Sequence, residues 1–390
     1  MTSVDRRQTL FAAMAATVAT AKNTAVAQEP SAAPRPVVEP AGPKIAPYKA
    51  ACVQTLVRPV FDDSGKFRPE ALKANVERVA QAVERGGDNV GAKLYSFSEF
   101  CLQAAPRGAT IGAWIGASID ARGPEVERLA RAAGKANAFI AFNAAERVPE
   151  FPGRYFLSGM IVAPNGELVL NYRKLYDPTT KTRPTDVLRD WMIKMGPDSL
   201  FPVADTEIGR LGCAVALDVM WPEMVRGIAL KGAEVIVNPT ASPAAPGVTG
   251  LSVSSMVRRV RAAENMAYVL LSNLGPIGED ESAPVTPKQP SEIIDFNGNA
   301  LATSADGGEG MIVAAIDIDA LRRARTSLGL RNWLAQLQVP VHIPSYMSAA
   351  FAPVNAWAET PLKDPKEHDA VLVRAIQDLV ERGVLVAPGI

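Results

Sequence analysis

Residues 208–241 read IGRLGCAVALDVMWPEMVRGIALKGAEVIVNPTA, and this stretch decides the fold. An apolar run over 211–217 breaks at Asp218 and at the turn-like Trp221-Pro222-Glu223. A helical pattern over 224–231 stops at Gly232, and a second apolar run over 233–237 ends in Asn238-Pro239. Short apolar runs bounded by Gly and Pro predict buried strands, and Pro near a helix start with Gly past its end is ordinary helix punctuation. The stretch is therefore a strand, a sharp elbow, a helix and a second strand. Such elbows present a reactive side chain in α/β enzymes, because backbone N–H groups at the helix start can hold a developing oxyanion.

Upstream, strands are predicted over 155–163 and 168–173. They flank Pro164-Asn165-Gly166, a strong hairpin signal, and the second arm runs into Tyr172-Arg173-Lys174. Before them come a helix over 120–136 and a strand over 138–144, followed by Glu146. Residues 94–100, LYSFSEF, place Glu99 at the end of an apolar, aromatic strand. A buried unpaired carboxylate is costly, so Glu99 is protonated, paired, or on an edge facing water. In an extended chain Cys101 shares its side.

The first strand is expected over 48–57, with Cys52 a small core residue, and a helix over 68–85 buries Ala71, Leu72, Val76, Val79 and Val83. Gly86-Gly87 is read as its end. Residues 183–201 form a polar insertion that would help cover a site. Downstream, a Pro/Ala/Gly-rich loop at 242–250 precedes a helix over 254–266 and a strand over 268–272. A hairpin over 291–302, a strand over 310–316, and helices over 319–325 and 369–382 complete the chain.

The charge balance is even, 41 basic against 41 acidic residues in 390, which leaves no electrostatic footprint for nucleic acid and no polybasic membrane patch. Three cysteines and two histidines are too few and too scattered for a zinc site or a disulfide framework, and no cofactor is expected. Both histidines lie in the C-terminal tail, which disfavours a Ser-His-Asp triad. Arg6-Arg7 before an apolar run, with Ala25-Val26-Ala27 as a small-x-small site, predicts a twin-arginine-type signal over 1–27 and export to the periplasm. A Pro/Ala-rich linker follows over 28–47.

The elbow resembles the nucleophile segment of the nitrilase superfamily, the carbon–nitrogen hydrolases. Gly212, Asp218, Pro222 and Glu223 fall on that family's pattern, and Ala216 stands at the position of its nucleophilic cysteine. The likeness extends through Ala51-Cys52-Val53-Gln54, Glu99, Tyr172-Arg173-Lys174 and Arg261-Ala262-Ala263-Glu264-Asn265, covering about 48–325. It implies an α/β fold, an α-β-β-α sandwich of two mixed sheets packed face to face with helices outside. It also implies Glu99 as general base, Lys174 holding the tetrahedral intermediate, Glu146 positioning substrate, and Leu217, Asp218, Trp221 and Thr240 around the substrate. The remainder, 326–390, is expected to be an arm that binds a second copy in a homo-oligomer.

The Pro222-Glu223 continuation resembles the amidase branch. The implied substrate is then a small non-peptide amide, carbamoyl or ureido compound rather than a nitrile. An alanine methyl cannot attack a carbonyl. Ala216 therefore admits three readings: an engineered substitution, a binding or scaffold protein that keeps the pocket, or an enzyme in which Glu99 and Lys174 activate water directly. Cys213, three residues upstream on an extended strand, faces the other way and reads as core.

Overall fold

The computed structural model describes residues 43–104, 109–177, 179, 181–243, 252–285, 289–348 and 353–389. The expected signal peptide and most of the linker lie outside these residues, as does most of the 242–250 loop.

Strands β1 (Tyr48–Gln54), β2 (Leu94–Phe97), β3 (Ile119–Asp120), β4 (Phe139–Arg147), β5 (Phe156–Val162) and β6 (Leu168–Arg173) belong to one sheet. Strands β7 (Val203–Thr206), β8 (Gly209–Cys213), β9 (Val235–Thr240), β10 (Tyr268–Asn273), β11 (Glu292–Ile294) and β12 (Ala300–Thr303) form the second, in the order β12-β11-β10-β9-β8-β7. The chain then returns through β13 (Gly310–Ile316) to the first sheet, ordered β13-β1-β2-β4-β5-β6 with β3 beside β4. Both sheets are mixed. β1, β2 and β4 run parallel, as do β8, β9 and β10, and antiparallel strands complete each sheet.

Strand side chains sort into layers by the alternation that a pleated strand imposes. In β1, Ala50 and Cys52 face the second sheet, whereas Ala51 and Val53 face the helices α1 (Pro69–Asn89), α2 (Ile111–Ala117) and α3 (Pro124–Ala136). In β9, Val235 and Val237 point between the sheets, and Ile236 points outward with Val225 and Ile228 of α5 (Pro222–Leu230), a helix that follows α4 (Leu188–Met195). Helix α6 (Val253–Glu264) covers the same outer face through Ala262. Central strands with both faces buried read as continuous apolar runs, which is why they stand out in the sequence. The result is the expected α-β-β-α sandwich.

Gly159 of β5 shows how closely the sheets approach. A Cβ there would lie 2.3 Å from the Sγ of Cys213. Only glycine leaves room for that thiol between the sheets, and Cys213 is core, as expected. Ser272 on β10 also crosses the layer, donating its Oγ–H toward the Oγ and carbonyl of Ser96 on β2, each at 2.8 Å.

Several boundaries differ from the sequence expectation for physical reasons. Gly86-Gly87 does not end α1, which continues to Asn89. A Cβ at 86 would come within 2.6 Å of the Tyr95 ring, and one at 87 within 2.9 Å of Ala136, so these glycines permit close packing. The strand expected over 211–217 stops at Cys213, and Ala216–Met220 is a turn of 3-10 helix. The strand expected to reach 100 stops at Phe97. Phe100 has a φ of 61°, so Cys101 does not share the side of Glu99; it is buried under the helices of the first sheet. The insertion 183–201 is largely ordered as short 3-10 turns and α4. Beyond α7 (Ile318–Thr326), the tail adds α8 (Val339–Ser348) and α9 (Pro365–Glu381).

Candidate active site

The topology brings three strand ends to one edge of the sandwich. β6 is two antiparallel steps from β4 and therefore runs parallel to β2, so Glu99 and Lys174 follow strands that end on the same side. β8, which leads to Ala216, runs parallel to β10, whose end is bound to the end of β2 through Ser272 and Ser96. Side chains beyond the C-terminal ends of parallel strands are where open α/β folds bind ligands.

Lys174 is the centre of the polar cluster. Its Nζ donates to Glu99 Oε1 at 2.9 Å and to Asp177 Oδ2 at 2.9 Å, and all three side chains are at least nine-tenths buried. Burial alone would push the ammonium toward its neutral form, but Glu99, Asp177 and Asp218 outweigh this and hold its pKa above the ordinary lysine value. Burial likewise opposes ionisation of Asp177. The nearby Lys181 and Lys174 ammonium groups, with the Thr179 hydroxyl, nonetheless hold it below the usual carboxylate range. Lys181 Nζ lies 3.6 Å from Asp177 Oδ2 and 5.3 Å from the centre of the Phe100 ring, closing the cluster over the residue that follows Glu99.

Ala216 sits in the left-handed region, with φ 45°. For a residue with a Cβ this costs about 1–2 kcal/mol, and such outliers persist only where surrounding bonds fix them. Here Asn238 Nδ2 donates to the carbonyls of Ala214 at 2.6 Å and Ala216 at 3.5 Å, and Arg258 Nε donates to Asn238 Oδ1 at 2.7 Å. Arg258 is almost wholly buried, and that burial brings its pKa down to about 10 against the opposing pull of Glu292 and Glu99. Among the described residues, the N–H groups of Ala216 and Leu217 have no acceptor, so this turn offers two free donors.

Asp218 ties the elbow to the lysine. Its carboxylate accepts from Tyr172 Oη at 2.6 Å, Leu175 N at 3.2 Å and Tyr176 N at 2.8 Å, on both sides of Lys174. Complete burial pushes its pKa up to about 7, with Lys174 and the hydrogen bonds opposing the rise. Asp218, expected beside the substrate, anchors the loop through these three bonds.

Glu146, expected to position substrate, is held by a separate set of partners. Its carboxylate accepts from Arg173 Nε and Nη2 at 2.8 and 2.6 Å, from Ser158 Oγ at 2.5 Å and from Asn171 Nδ2 at 2.9 Å. None of its bonds among the described residues reaches Glu99, Lys174 or Ala216. Of the other expected contacts, Leu217 is 41 % exposed, Trp221 lies against the Tyr176 ring at 3.7 Å between centres, and Thr240 is buried, accepting from Arg258 Nη2 at 3.3 Å.

Asp177, Asn238 and Arg258 were missed. For Asp177 a signal existed, a carboxylate three residues after Lys174 and just before Pro178. In the sequence Asn238 marks only the end of a strand. Nothing in the local sequence marks Arg258 among its neighbours Arg259 and Arg261.

The sequence profile described as carbon-nitrogen hydrolase matches residues 49–326 of this chain. The chain belongs to the carbon-nitrogen hydrolases. Its relatives within that family include Nitrilase 3 of Arabidopsis thaliana, 28 % identical over 293 residues, covering 68 % of this chain and 78 % of the relative. The N-carbamoylputrescine amidase of the same plant is 33 % identical over 140 residues, 34 % of this chain and 47 % of the relative. A solved cysteine-to-alanine mutant of the Nesterenkonia AN1 amidase, from the nitrilase superfamily, superposes with a TM-score of 0.54 at 20 % identity, covering 78 % of this chain and 98 % of that one. This carbon-nitrogen hydrolase thus has both nitrilase and amidase neighbours.

Proposed function

We propose that this chain carries an amidase-type site for a small non-peptide amide, carbamoyl or ureido compound, with Ala216 at the position of the covalent nucleophile. The observation that carries this reading is the buried Lys174 ammonium, held between Glu99 and Asp177 and bound through Asp218 to a left-handed elbow with two free N–H donors. A group of that charge, in a site that excludes water, stabilises a developing oxyanion. Glu99 is within reach to shuttle a proton. The N-carbamoylputrescine amidase and a citrullinase of Francisella tularensis, 32 % identical over 133 residues, favour carbamoyl and ureido compounds. As the chain stands, no covalent acyl intermediate can form at Ala216.

The test compares the protein as it is with Ala216→Cys for ammonia or amine release from small amides, carbamates and ureas. Turnover confined to the cysteine variant is expected. Turnover by the alanine form that vanishes on Glu99→Gln would replace this reading with direct activation of water, and inactivity of both on every compound would leave a binding protein.

The reading includes export to the periplasm, supported by Arg6-Arg7 and the apolar run after them, and self-association. Exposed Val253, Met256 and Val260 form a stripe on α6, at 66, 45 and 51 % exposure, which supports burial against a second copy. Met256→Glu is expected to reduce the mass seen by light scattering; an unchanged monomeric mass in both proteins would remove that part.

A further inference from the structure

Part of the tail closes on its own chain rather than reaching away from it. Asn355 N donates to Thr185 O at 2.8 Å, Trp357 N to Asp186 O at 3.3 Å, and Arg189 N to Asn355 Oδ1 at 2.7 Å. Arg154 Nη2 donates to the carbonyls of Trp357 and Ala358 at 2.7 and 2.8 Å. Leu362, His368 and Val371 are buried.

The segment that receives them lies just beyond Lys174 and fixes Asp177. Arg183 Nη1 donates to the carbonyl of Asp177 at 3.0 Å, while its Nε and Nη2 hold Asp186 Oδ1 at 3.0 and 2.5 Å. The same Nη1 lies 2.9 Å from His368 Nε2 on α9. A guanidinium has no acceptor, so His368 must offer a lone pair at Nε2 and carry its proton on Nδ1, in the neutral form.

We propose that the C-terminal segment is an intramolecular clasp on the active-site loop, with Arg183 as the positioning residue that transmits the grip of His368 through Asp177 to Lys174. This rests on the reading of Lys174 given above. Protonated His368 would lose the acceptor that Arg183 uses and set two cations side by side. Burial and Arg183 accordingly hold the imidazole below its ordinary value of 6.5, against the opposing pull of Asp186, Asp369 and Asp177. A depressed folded value means that the clasp is at full strength above pH 6.5 and is lost as pH falls through the folded value.

The experiment has two arms. In the chain as it is, deuterium uptake over 177–186 is compared among the parent, His368→Leu and His368→Gln. Uptake is expected to rise in the leucine variant and stay near the parent in the glutamine variant, whose amide oxygen can still accept from Arg183. In the Ala216→Cys background, His368→Leu is expected to lower kcat about tenfold or more with little change in KM, and His368→Gln to restore kcat and flatten the acid limb of the pH profile. Unchanged uptake in a folded His368→Leu protein overturns the clasp. Raised uptake with unchanged kcat overturns the positioning role. Should His368→Leu not fold, the parent decides alone: protection over 177–186, corrected for intrinsic exchange, must fall between pH 7 and 5 for the clasp to stand. If the Ala216→Cys protein turns over no amide, the function reading fails while the exchange arm still decides the clasp.

Discussion

Arg173 and Lys174 are neighbours in the chain, and each meets a buried carboxylate, yet the two pairs are built differently. Arg173 grips Glu146 with two parallel bonds, and Ser158 and Asn171 fill the remaining lone pairs. Lys174 instead divides its ammonium between Glu99 and Asp177, which belong to separate segments. The first pair is closed: every oxygen is satisfied by fixed groups, and nothing is left over for a ligand. The second is open, with a point charge that can turn a third N–H toward an incoming oxygen and a carboxylate free to exchange a proton. A charge pair reveals its role by what it leaves unsatisfied more than by its burial.

The comparison can be broken most directly at Lys174. Lys174→Met in the Ala216→Cys background should lower amide turnover about 1000-fold. It strands two buried carboxylates, so urea unfolding should also show a loss of about 3–5 kcal/mol. Turnover within tenfold of the parent would show that the open pair is no more catalytic than the closed one. Arg173→Met comes next: a similar loss of stability, about 3–5 kcal/mol, with turnover per folded molecule within about tenfold. The double change Glu146→Met with Arg173→Met should recover most of that stability, because a closed pair exchanged for apolar groups of like volume is close to neutral.

Asp218 sharpens the contrast, since it is a buried carboxyl with no cation bonded to it. Its folded value of about 7 exceeds its ordinary 3.8, so its contribution to stability is full below about pH 4 and is lost as pH rises through 7. Asp218→Asn should therefore gain on the parent between pH 4 and 8, by on the order of 4 kcal/mol at most. A difference that stays constant with pH would mean that the carboxyl titrates normally. The smallest effect is expected at Ala216→Gly. Relief of the left-handed strain, offset by a more flexible unfolded chain, leaves a gain of about 0–1 kcal/mol in thermal unfolding. A clear loss would instead show the methyl to be tightly packed.

Much of this architecture was legible because its signals are local. The Asn165-Gly166 hairpin, the apolar strand at Tyr268–Asn273 and the helical stripe of Val76, Val79 and Val83 each declare themselves within a dozen residues. The elbow is legible too, though the apolar run overshoots the strand by four residues, because such a run cannot reveal where Ala216 turns left-handed. What was hidden depends on distant partners. The glycine pair in α1 looks like a terminator until Tyr95 and Ala136 are seen against it, and Glu146 looks free until Arg173 is known to face it. The same holds for Arg258, whose place at Asn238 needs α6 laid along the second sheet.

The thiol of Cys213, lodged over Gly159, has a practical sequel. All three native sulfhydryls are enclosed: burial pushes Cys52 and Cys101 up to about 12 and Cys213 well above its ordinary value. Thiolates, not thiols, react with alkylating agents, so the folded parent should be dark to maleimide and iodoacetamide. Any adduct on the Ala216→Cys protein would then lie at position 216, and a mass shift of one adduct would report that this elbow admits the reagent, without any knowledge of the substrate.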